Sequence, residues 1–239
     1  MGETFLSPLG EAALLVDFGR GMSMEANEAA IAFRAAVEEA GWPGIVETAS
    51  TLKSVLIRFA PEVTRLETLL ENAQALLATR DWRSAPLPAG RKLFRVGASF
   101  AEPDSPALGE VAEMTGLGET AVIEAVCAKP LRVLTLGFAP GMPYLGALPS
   151  SLNIPRLTEL APRVPAGAIC TAVSQIVLFT VASQTGWRQV ARSAFVGYRP
   201  DKPQPFVLTP GDELRFEPVR ADLLDTLDGG LLAAPEVIR

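Results

Sequence analysis

The segment from residue 136 to residue 167 constrains the fold more than any other part of the chain, because prolines and glycines crowd into an otherwise apolar stretch. Pro140 and Pro143 fix their φ angles and lack a backbone donor, whereas Gly141 and Gly167 permit backbone that other residues rarely adopt. A simple turn needs one such pair. This density therefore predicts a segment that shapes a surface with its own backbone.

The composition predicts a globular protein with one large or two modest domains. The chain has 239 residues, of which 49% are hydrophobic and 20% charged, and its net charge is −6. A negative chain without a basic cluster argues against nucleic-acid binding, and no apolar run approaches the roughly 20 residues that span a bilayer. The N-terminus lacks the basic start and apolar core of a signal peptide, so we expect a cytoplasmic protein without a membrane partner.

The absence of histidine limits the chemistry that the chain can perform. It excludes Ser-His-Asp and Cys-His catalysis and histidine metal ligation. Cys127 and Cys170 are too few for a thiolate zinc cage within one chain, so we expect no metal site, and we expect both thiols to be buried and unreactive. Any reaction must use carboxylates, arginine, lysine, hydroxyls, backbone amides or the residues of a partner.

Residues 1–84 predict a small α+β domain. The predicted elements are strands over residues 12–18, 45–46 and 54–59 and helices over residues 23–40 and 63–79. Ser23 is a suitable N-cap for the first helix, and Gly41 is a suitable stop. An apolar stripe at 3.6-residue spacing on the second helix predicts core packing; it comprises Leu66, Leu69, Leu70, Ala73, Leu76 and Leu77.

Residues 85–239 predict a second domain in which strands dominate. Residues 80–92, with a tryptophan, two prolines and a glycine, interrupt the pattern as a linker does. The predicted helices cover residues 106–114, 119–127 and 222–232, and the predicted strands cover residues 131–136, 169–173, 176–181, 189–193, 205–208 and 213–216. Turn residues punctuate these strands, which is typical of a β-barrel or a sandwich. The predicted fold class is therefore α+β.

Several motifs in a fixed order carry a resemblance to a known family. They are Gly137-Phe-Ala-Pro-Gly-Met-Pro-Tyr-Leu-Gly-Ala-Leu148, Pro155-Arg156, Arg163-Val-Pro-Ala-Gly167, Gln175, Gly186-Trp187, Arg192 and Pro210-Gly-Asp-Glu-Leu-Arg-Phe-Glu-Pro218. In this order, and over nearly the whole chain, they resemble the family of the 5-oxoprolinase B subunit, which is also named allophanate hydrolase subunit 1 and sporulation-kinase inhibitor. Four departures mark a divergent member with altered substrate or reduced activity. Val126 replaces a histidine, Thr171-Ala172-Val173-Ser174 replaces a glycine-rich turn, Ala191-Arg192-Ser193 replaces Gly-Arg-Thr, and Leu160-Ala161 stands where a second Pro-Arg pair is expected.

The resemblance implies an architecture and a reaction. The architecture is a small N-terminal α+β domain, residues 1–84, followed by a C-terminal cyclophilin-like β-barrel, residues 85–239. The reaction is the ATP-dependent opening of 5-oxoproline to glutamate, performed together with the two other proteins of the complex, an allophanate hydrolase subunit 2-like protein (the C subunit) and the A subunit. The chain has no Walker A motif, so ATP binding follows from the resemblance alone, and a groove shared with the C subunit is expected.

The resembling motifs also supply the candidate site residues. Arginine suits this chemistry because its planar fork binds carboxylate or phosphate through two hydrogen bonds. The predicted catalytic residues are Arg192 and Gln175, and the predicted substrate-binding residues are Arg156, Arg163, Tyr144, Pro140 and Gly141. Structural ion pairs and carbonyl clamps for the arginines, strand capping for Gln175 and ring packing for Tyr144 remain open alternatives.

Two other functions remain open. Members of the family inhibit a sensor histidine kinase through protein contact, and the lost histidine and glycines favour this function slightly, since a binding module needs no catalytic set. The allophanate name points instead to a protein of a related complex that acts on another amide or urea derivative.

Overall fold

The structure is a computed structural model that describes residues 3–159 and 163–238. The chain divides into two compact units, Met1–Ala89 and Gly90–Arg239. Helices and sheets are both present, which confirms the predicted α+β class. The assignment of the two units as the two expected domains stays a prediction.

The first unit is built around an antiparallel sheet. Its described strands are β1 (Phe5–Pro8), β2 (Ala13–Asp17), β3 (Ile45–Ser50) and β4 (Ser54–Phe59), in the order β1-β2-β4-β3, and its helices are α1 (Met24–Ala40) and α2 (Leu66–Leu77). The Ser23 side chain accepts a hydrogen bond from the Ala26 amide at 3.1 Å, and Gly41 ends α1 at a φ of 58°. Both predicted ends of α1 are therefore confirmed.

The second helix packs its apolar stripe into the core of the first unit, as predicted. Leu69 and Ala73 are fully buried there. The helix begins three residues later than expected, because the amides of Val63 and Thr64 both bond to the carbonyl of Ala60 in a turn. Arg65 then has extended backbone and leads into the helix.

The second unit contains most of the strands. Its described elements are β5 (Arg91–Ala98), α3 (Leu108–Thr115), α4 (Glu119–Cys127), β6 (Leu131–Leu136), β7 (Pro143–Gly146), β8 (Ala168–Ala172), β9 (Gln175–Leu178), β10 (Arg188–Arg192), β11 (Glu213–Pro218), α5 (Ala221–Leu224) and β12 (Glu236–Ile238). Within the described residues the strands form one sheet in the order β10-β8-β9-β7-β6-β11-β5-β12. Strands β11 and β5 are parallel, and the other paired strands are antiparallel.

The side chains of β8 point alternately to the two faces of the sheet, and both faces are covered by other residues. Ile169 faces the main core, to which Val111 of α3 and Val126 of α4 also belong. Ala168 and Cys170 face a smaller cluster that contains Trp187. Val126, the residue that the resemblance places at a family histidine, is thus a core valine.

Two backbone hydrogen bonds link β10, at one edge of the sheet, to the end of β5, which lies next to the strand at the opposite edge. Ser99, directly after β5, and Arg192, the last residue of β10, exchange amide-to-carbonyl bonds of 2.8 and 3.0 Å. The closed cyclophilin-like barrel stays a prediction.

Two predicted elements of the second unit are wrong. Residues 205–208 form no strand; Phe206 makes an isolated bridge to Tyr198, and the prolines at positions 203 and 205 cannot donate to a ladder. The helix predicted over residues 222–232 ends at Leu224. The next amides, of Thr226 and Leu227, bond only three residues back, and Gly229 and Gly230 have φ angles of 57° and 75° that exclude a helix further on.

Candidate functional site

The loop between β6 and β7, residues 137–142, presents its backbone and one aromatic ring to the surface. The Gly137 amide bonds to the carbonyl of Met142 at 3.1 Å and closes the loop. Phe138 has a φ of 70°, unusual for an aromatic residue, and its surface is 75% exposed. Non-glycine residues in this region cluster at functional sites, so the strain makes the loop a candidate for binding.

Two glycines allow neighbouring segments to approach this loop and the start of β8 closely. Gly141 has a φ of 68° and faces the backbone of Gly197, so that a methyl group at position 141 would overlap the carbonyl of Gly197. Gly167 has a φ of 86° and faces the carbonyl of Ser193 in the same way. The Ser193 amide donates to the carbonyl of Gly167 at 2.8 Å, which fixes this approach.

A cleft of about 490 Å³ lies between these segments. Its described lining consists of Pro140, Ala166, Gly167, Thr180, Val181, Arg192, Ser193, Ala194, Phe195, Val196, Gly197 and Tyr198. Arg192 is the one charged side chain in this described lining. The cleft is therefore a mostly apolar hollow whose lining includes one arginine and three hydroxyl-bearing residues, Thr180, Ser193 and Tyr198.

Arg192 is held at the end of β10 by one carboxylate, and a second carboxylate lies nearby. Its Nε atom donates to Oδ1 of Asp104 at 2.6 Å, and its Nη1 atom lies 3.9 Å from Oδ1 of Asp225. The strand pairing shifts register between Gln189 and Ala191, shortly before Arg192, and such irregularities redirect the side chains that follow. The arginine is thus anchored on one edge of its guanidinium.

Tyr144 and Arg156 belong to a different group, around Trp187. The Tyr144 and Trp187 rings meet edge to face with centroids 6.1 Å apart, and the Arg156 guanidinium lies 6.0 Å from the Trp187 ring. Burial raises the pKa of the Tyr144 hydroxyl, and the positive charge of Arg156 partly opposes this rise. The hydroxyl is therefore neutral and can donate a hydrogen bond.

The remaining predicted residues do not line the cleft. Gln175 begins β9, is partly buried, and its carbonyl accepts a hydrogen bond from the Thr171 hydroxyl at 3.1 Å. Arg163 is exposed and precedes Val164, whose backbone exchanges hydrogen bonds with Ser183. Within the described part of the chain, the cleft therefore unites Arg192 with Pro140 and, through its contact with Gly197, with Gly141.

Asp104 and Asp225 belong to the arrangement but were not predicted from the sequence. Asp104 lies 88 positions before Arg192, and Asp225 lies 33 positions after it, so no local motif joins them. Across residues 3–159 and 163–238 we find no cluster of three metal-binding side chains, and no helix in these ranges is long and apolar enough to cross a membrane.

The fold and cleft define a two-unit α+β protein with an arginine in the lining of a sheet-bordered hollow. Residues 4–208 match the family model of the carboxyltransferase domain, subdomain C and D, and the chain belongs to that family. Its curated relatives include the 5-oxoprolinase B subunit of Escherichia coli O157:H7, which is 29% identical over 170 residues, covering 68% of this chain and 78% of the relative. A relative from Bacillus subtilis (strain 168) has the same name, and the resemblance seen in the sequence is confirmed.

Solved structures support the same fold within longer chains. TTHA0988 superposes with a TM-score of 0.74 at 29% identity, covering 87% of this chain and 40% of that chain. The Kluyveromyces lactis urea amidolyase superposes with a TM-score of 0.72 at 18% identity, covering 98% of this chain and 16% of that chain. The latter likeness concerns the fold alone. This chain thus spans less than half the length of either structural relative.

Proposed function

We propose that the chain is one member of an ATP-dependent amide hydrolase complex, in which it works with the C and A subunits to open the lactam of 5-oxoproline to glutamate. The name shared by the curated relatives supports the reaction class. Under this proposal the protein is a cytoplasmic hetero-oligomer, and its own part is to hold the substrate.

The observation that carries the proposal is Arg192, the one charged residue in the described lining of the 490 Å³ cleft. The substrate is a small ring with one carboxylate and one amide. A mostly apolar hollow suits the ring methylenes, and a planar guanidinium suits the carboxylate because it donates two parallel hydrogen bonds. Arg192 then orients the lactam carbonyl, and orientation is a large part of catalysis in such reactions.

The fit of ATP to this chain alone is poor. The described lining of the cleft offers one cationic side chain, whereas a triphosphate needs several cationic or amide donors, and the sequence has no Walker A motif. We therefore propose that ATP binds where a partner protein of the complex supplies further groups. ATP would make the carbonyl oxygen of the stable lactam a leaving group.

We also propose a role for each of the other candidate residues. The proposed roles of Pro140 and Gly141 are to shape the rim of the cleft with their backbone. Tyr144 and Arg156 can offer a hydroxyl and a guanidinium to a second polar group, a role that we extend to Arg163. For Gln175 we propose contact with the substrate amide in the assembled complex.

Reconstitution with the two partner proteins tests this function. The chain is mixed with the C and A subunits, and ADP release is measured with and without 5-oxoproline. Release that depends on all three proteins and on 5-oxoproline supports the proposal. Because a charge-assisted hydrogen bond contributes about 1.5–3 kcal/mol, Arg192→Ala should lower kcat/KM about ten- to hundredfold.

Arg220→Ala provides the matched control. Arg220 is also an arginine paired with an aspartate, Asp222, but both side chains are exposed and neither lines the cleft. Equal turnover in the Arg192 and Arg220 variants would exclude the site. No 5-oxoproline-dependent release, together with inhibition of a sensor kinase by the chain alone, would replace the enzyme function with the regulatory one.

A further inference from the structure

The two carboxylates beside Arg192 hold it very differently. The Asp104 side chain is 8% exposed, and its 2.6 Å bond to Nε is a short, charge-assisted hydrogen bond. The Asp225 side chain is 83% exposed, and its 3.9 Å separation from Nη1 is too long for a hydrogen bond. The first contact fixes the arginine, and the second is a weak surface ion pair.

Asp104 does not need its carboxylate to hold its own loop in place. Its backbone amide donates to the carbonyl of Ala101 at 2.7 Å, and its carbonyl accepts from Nε2 of Gln189 at 2.8 Å. Its Oδ2 atom is buried without a hydrogen-bond partner in the described structure. A buried, half-satisfied carboxylate is unfavourable for stability, so a neutral side chain would serve the loop alone better.

We propose that Asp104 is a positioning residue that directs the Nη groups of Arg192 for anion binding, and that Asp225, as a weak ion pair beside Nη1, competes with a substrate carboxylate for these groups. Because Nε is engaged, the two Nη groups remain as the fork that a carboxylate can bind. The inference rests on the proposed function, since the displacing anion is the carboxylate of 5-oxoproline.

Displacing Asp225 from Arg192 costs little free energy. Exposed ion pairs contribute weakly, so removing the competitor should tighten substrate binding by about two- to fivefold. Losing the buried contact with Asp104 should have the opposite and larger effect, because the guanidinium would then lose its fixed orientation.

The first experiment compares Asp225→Asn with Asp222→Asn in the assembled complex. Asp222 lies in the same helical segment, its side chain is 60% exposed, and it pairs with Arg220 instead. Asp225→Asn should lower the KM for 5-oxoproline about two- to fivefold with unchanged kcat, and Asp222→Asn should leave both constants unchanged. Equal changes in the two variants would mean a general charge effect and would overturn the inference.

The second experiment is a double-mutant cycle on Asp104 and Arg192. Asp104→Asn should raise the KM about tenfold in the native background and should have no further effect in an Arg192→Lys background. The thermal midpoint is measured for each variant. An increase in KM that persists in the Arg192→Lys background would show a structural role and overturn the positioning role.

A binding measurement separates failure of this inference from failure of the proposed function. Titration of the full chain with 5-oxoproline and with acetate is followed through the amide chemical shifts of Gly167 and Ser193, which line the cleft. Anions that bind more tightly to the Asp225→Asn variant, even without turnover, support the displacement while contradicting the reaction. If the native complex turns over 5-oxoproline but Asp104→Asn and Asp225→Asn leave its KM and kcat unchanged, this inference alone is overturned.

Discussion

Replacing Gly167 by alanine tests how the wall of the cleft is held. Gly167 has a φ of 86°, and a methyl group there would overlap the Ser193 carbonyl. The left-handed backbone disfavours any L-residue by about 1–2 kcal/mol. Movement of Ser193 would also weaken two backbone hydrogen bonds of Gly167, to Phe179 at 2.7 Å and from Ser193 at 2.8 Å, which adds about 1–3 kcal/mol.

Gly116→Ala is the matched control, because Gly116 has a similar φ of 68° but nothing within 4 Å of the added methyl group. The free energy of unfolding, measured by urea titration, should fall by about 1–2 kcal/mol for Gly116→Ala and by about 2–5 kcal/mol for Gly167→Ala. Only the second variant should weaken binding of 5-oxoproline, because Arg192 adjoins the displaced Ser193. Equal losses in the two variants would refute the argument from close approach.

Three further predictions concern stability and reactivity. Val173 and Ser174 form the turn between β8 and β9 with φ angles of 46° and 59°, which asparagine and glycine adopt more easily. An Asn-Gly pair at these positions should therefore raise the free energy of unfolding by about 1–2 kcal/mol in urea titrations. An unchanged or lower free energy would contradict the argument from strain. Arg95 holds the pKa of the Glu217 carboxyl below its ordinary value of 4.5, so the folded state binds fewer protons than the unfolded state. The interaction therefore stabilises the fold above pH 4.5, and this stabilisation is lost as the pH falls through the folded pKa. It should be missing from the acid-unfolding curve of Glu217→Gln. Cys127 is only partly buried, unlike the fully buried Cys170, yet this partial burial raises the pKa of its thiol to about 11. In a variant without Cys170 the thiol should therefore react slowly with a maleimide at about pH 7.5 until denaturant is added, and fast labelling in buffer would contradict the raised pKa.

Local signals in the sequence predicted the elements that local physics determines. The capping serine and terminal glycine of α1 fixed both of its ends, and the apolar run of β6 (Leu131–Leu136) was found with its observed bounds. α4 (Glu119–Cys127) also has the predicted bounds. In each case the residues that determine the structure lie within a few positions of one another.

Four strands escaped prediction because tertiary pairing determines them. β7 contains Pro143 and Gly146 and resembles a loop, yet it forms a strand because β6 and β9 lie on either side of it. The short strands β1 and β12 carry weak alternation and depend on β2 and β5 for their hydrogen bonds. β5 was obscured by the adjoining proline-rich linker.

The candidate site was only partly accessible from the sequence. The glycine and proline motif indicated the loop and its backbone approaches, because Gly141 and Gly167 signal unusual φ angles. The pairing of Arg192 with Asp104 was not accessible, since it joins positions 88 residues apart and depends on the exchange of backbone bonds between β10 and Ser99.

The most direct test of the account asks whether Arg192 binds the carboxylate of the substrate. Binding constants for 5-oxoproline and for 2-pyrrolidinone, the same lactam without a carboxylate, are measured in the assembled complex with native Arg192 and with Arg192→Gln. The account predicts that the substitution weakens 5-oxoproline about ten- to hundredfold and leaves 2-pyrrolidinone unchanged. An equal loss for both lactams, or no loss for either, would contradict it.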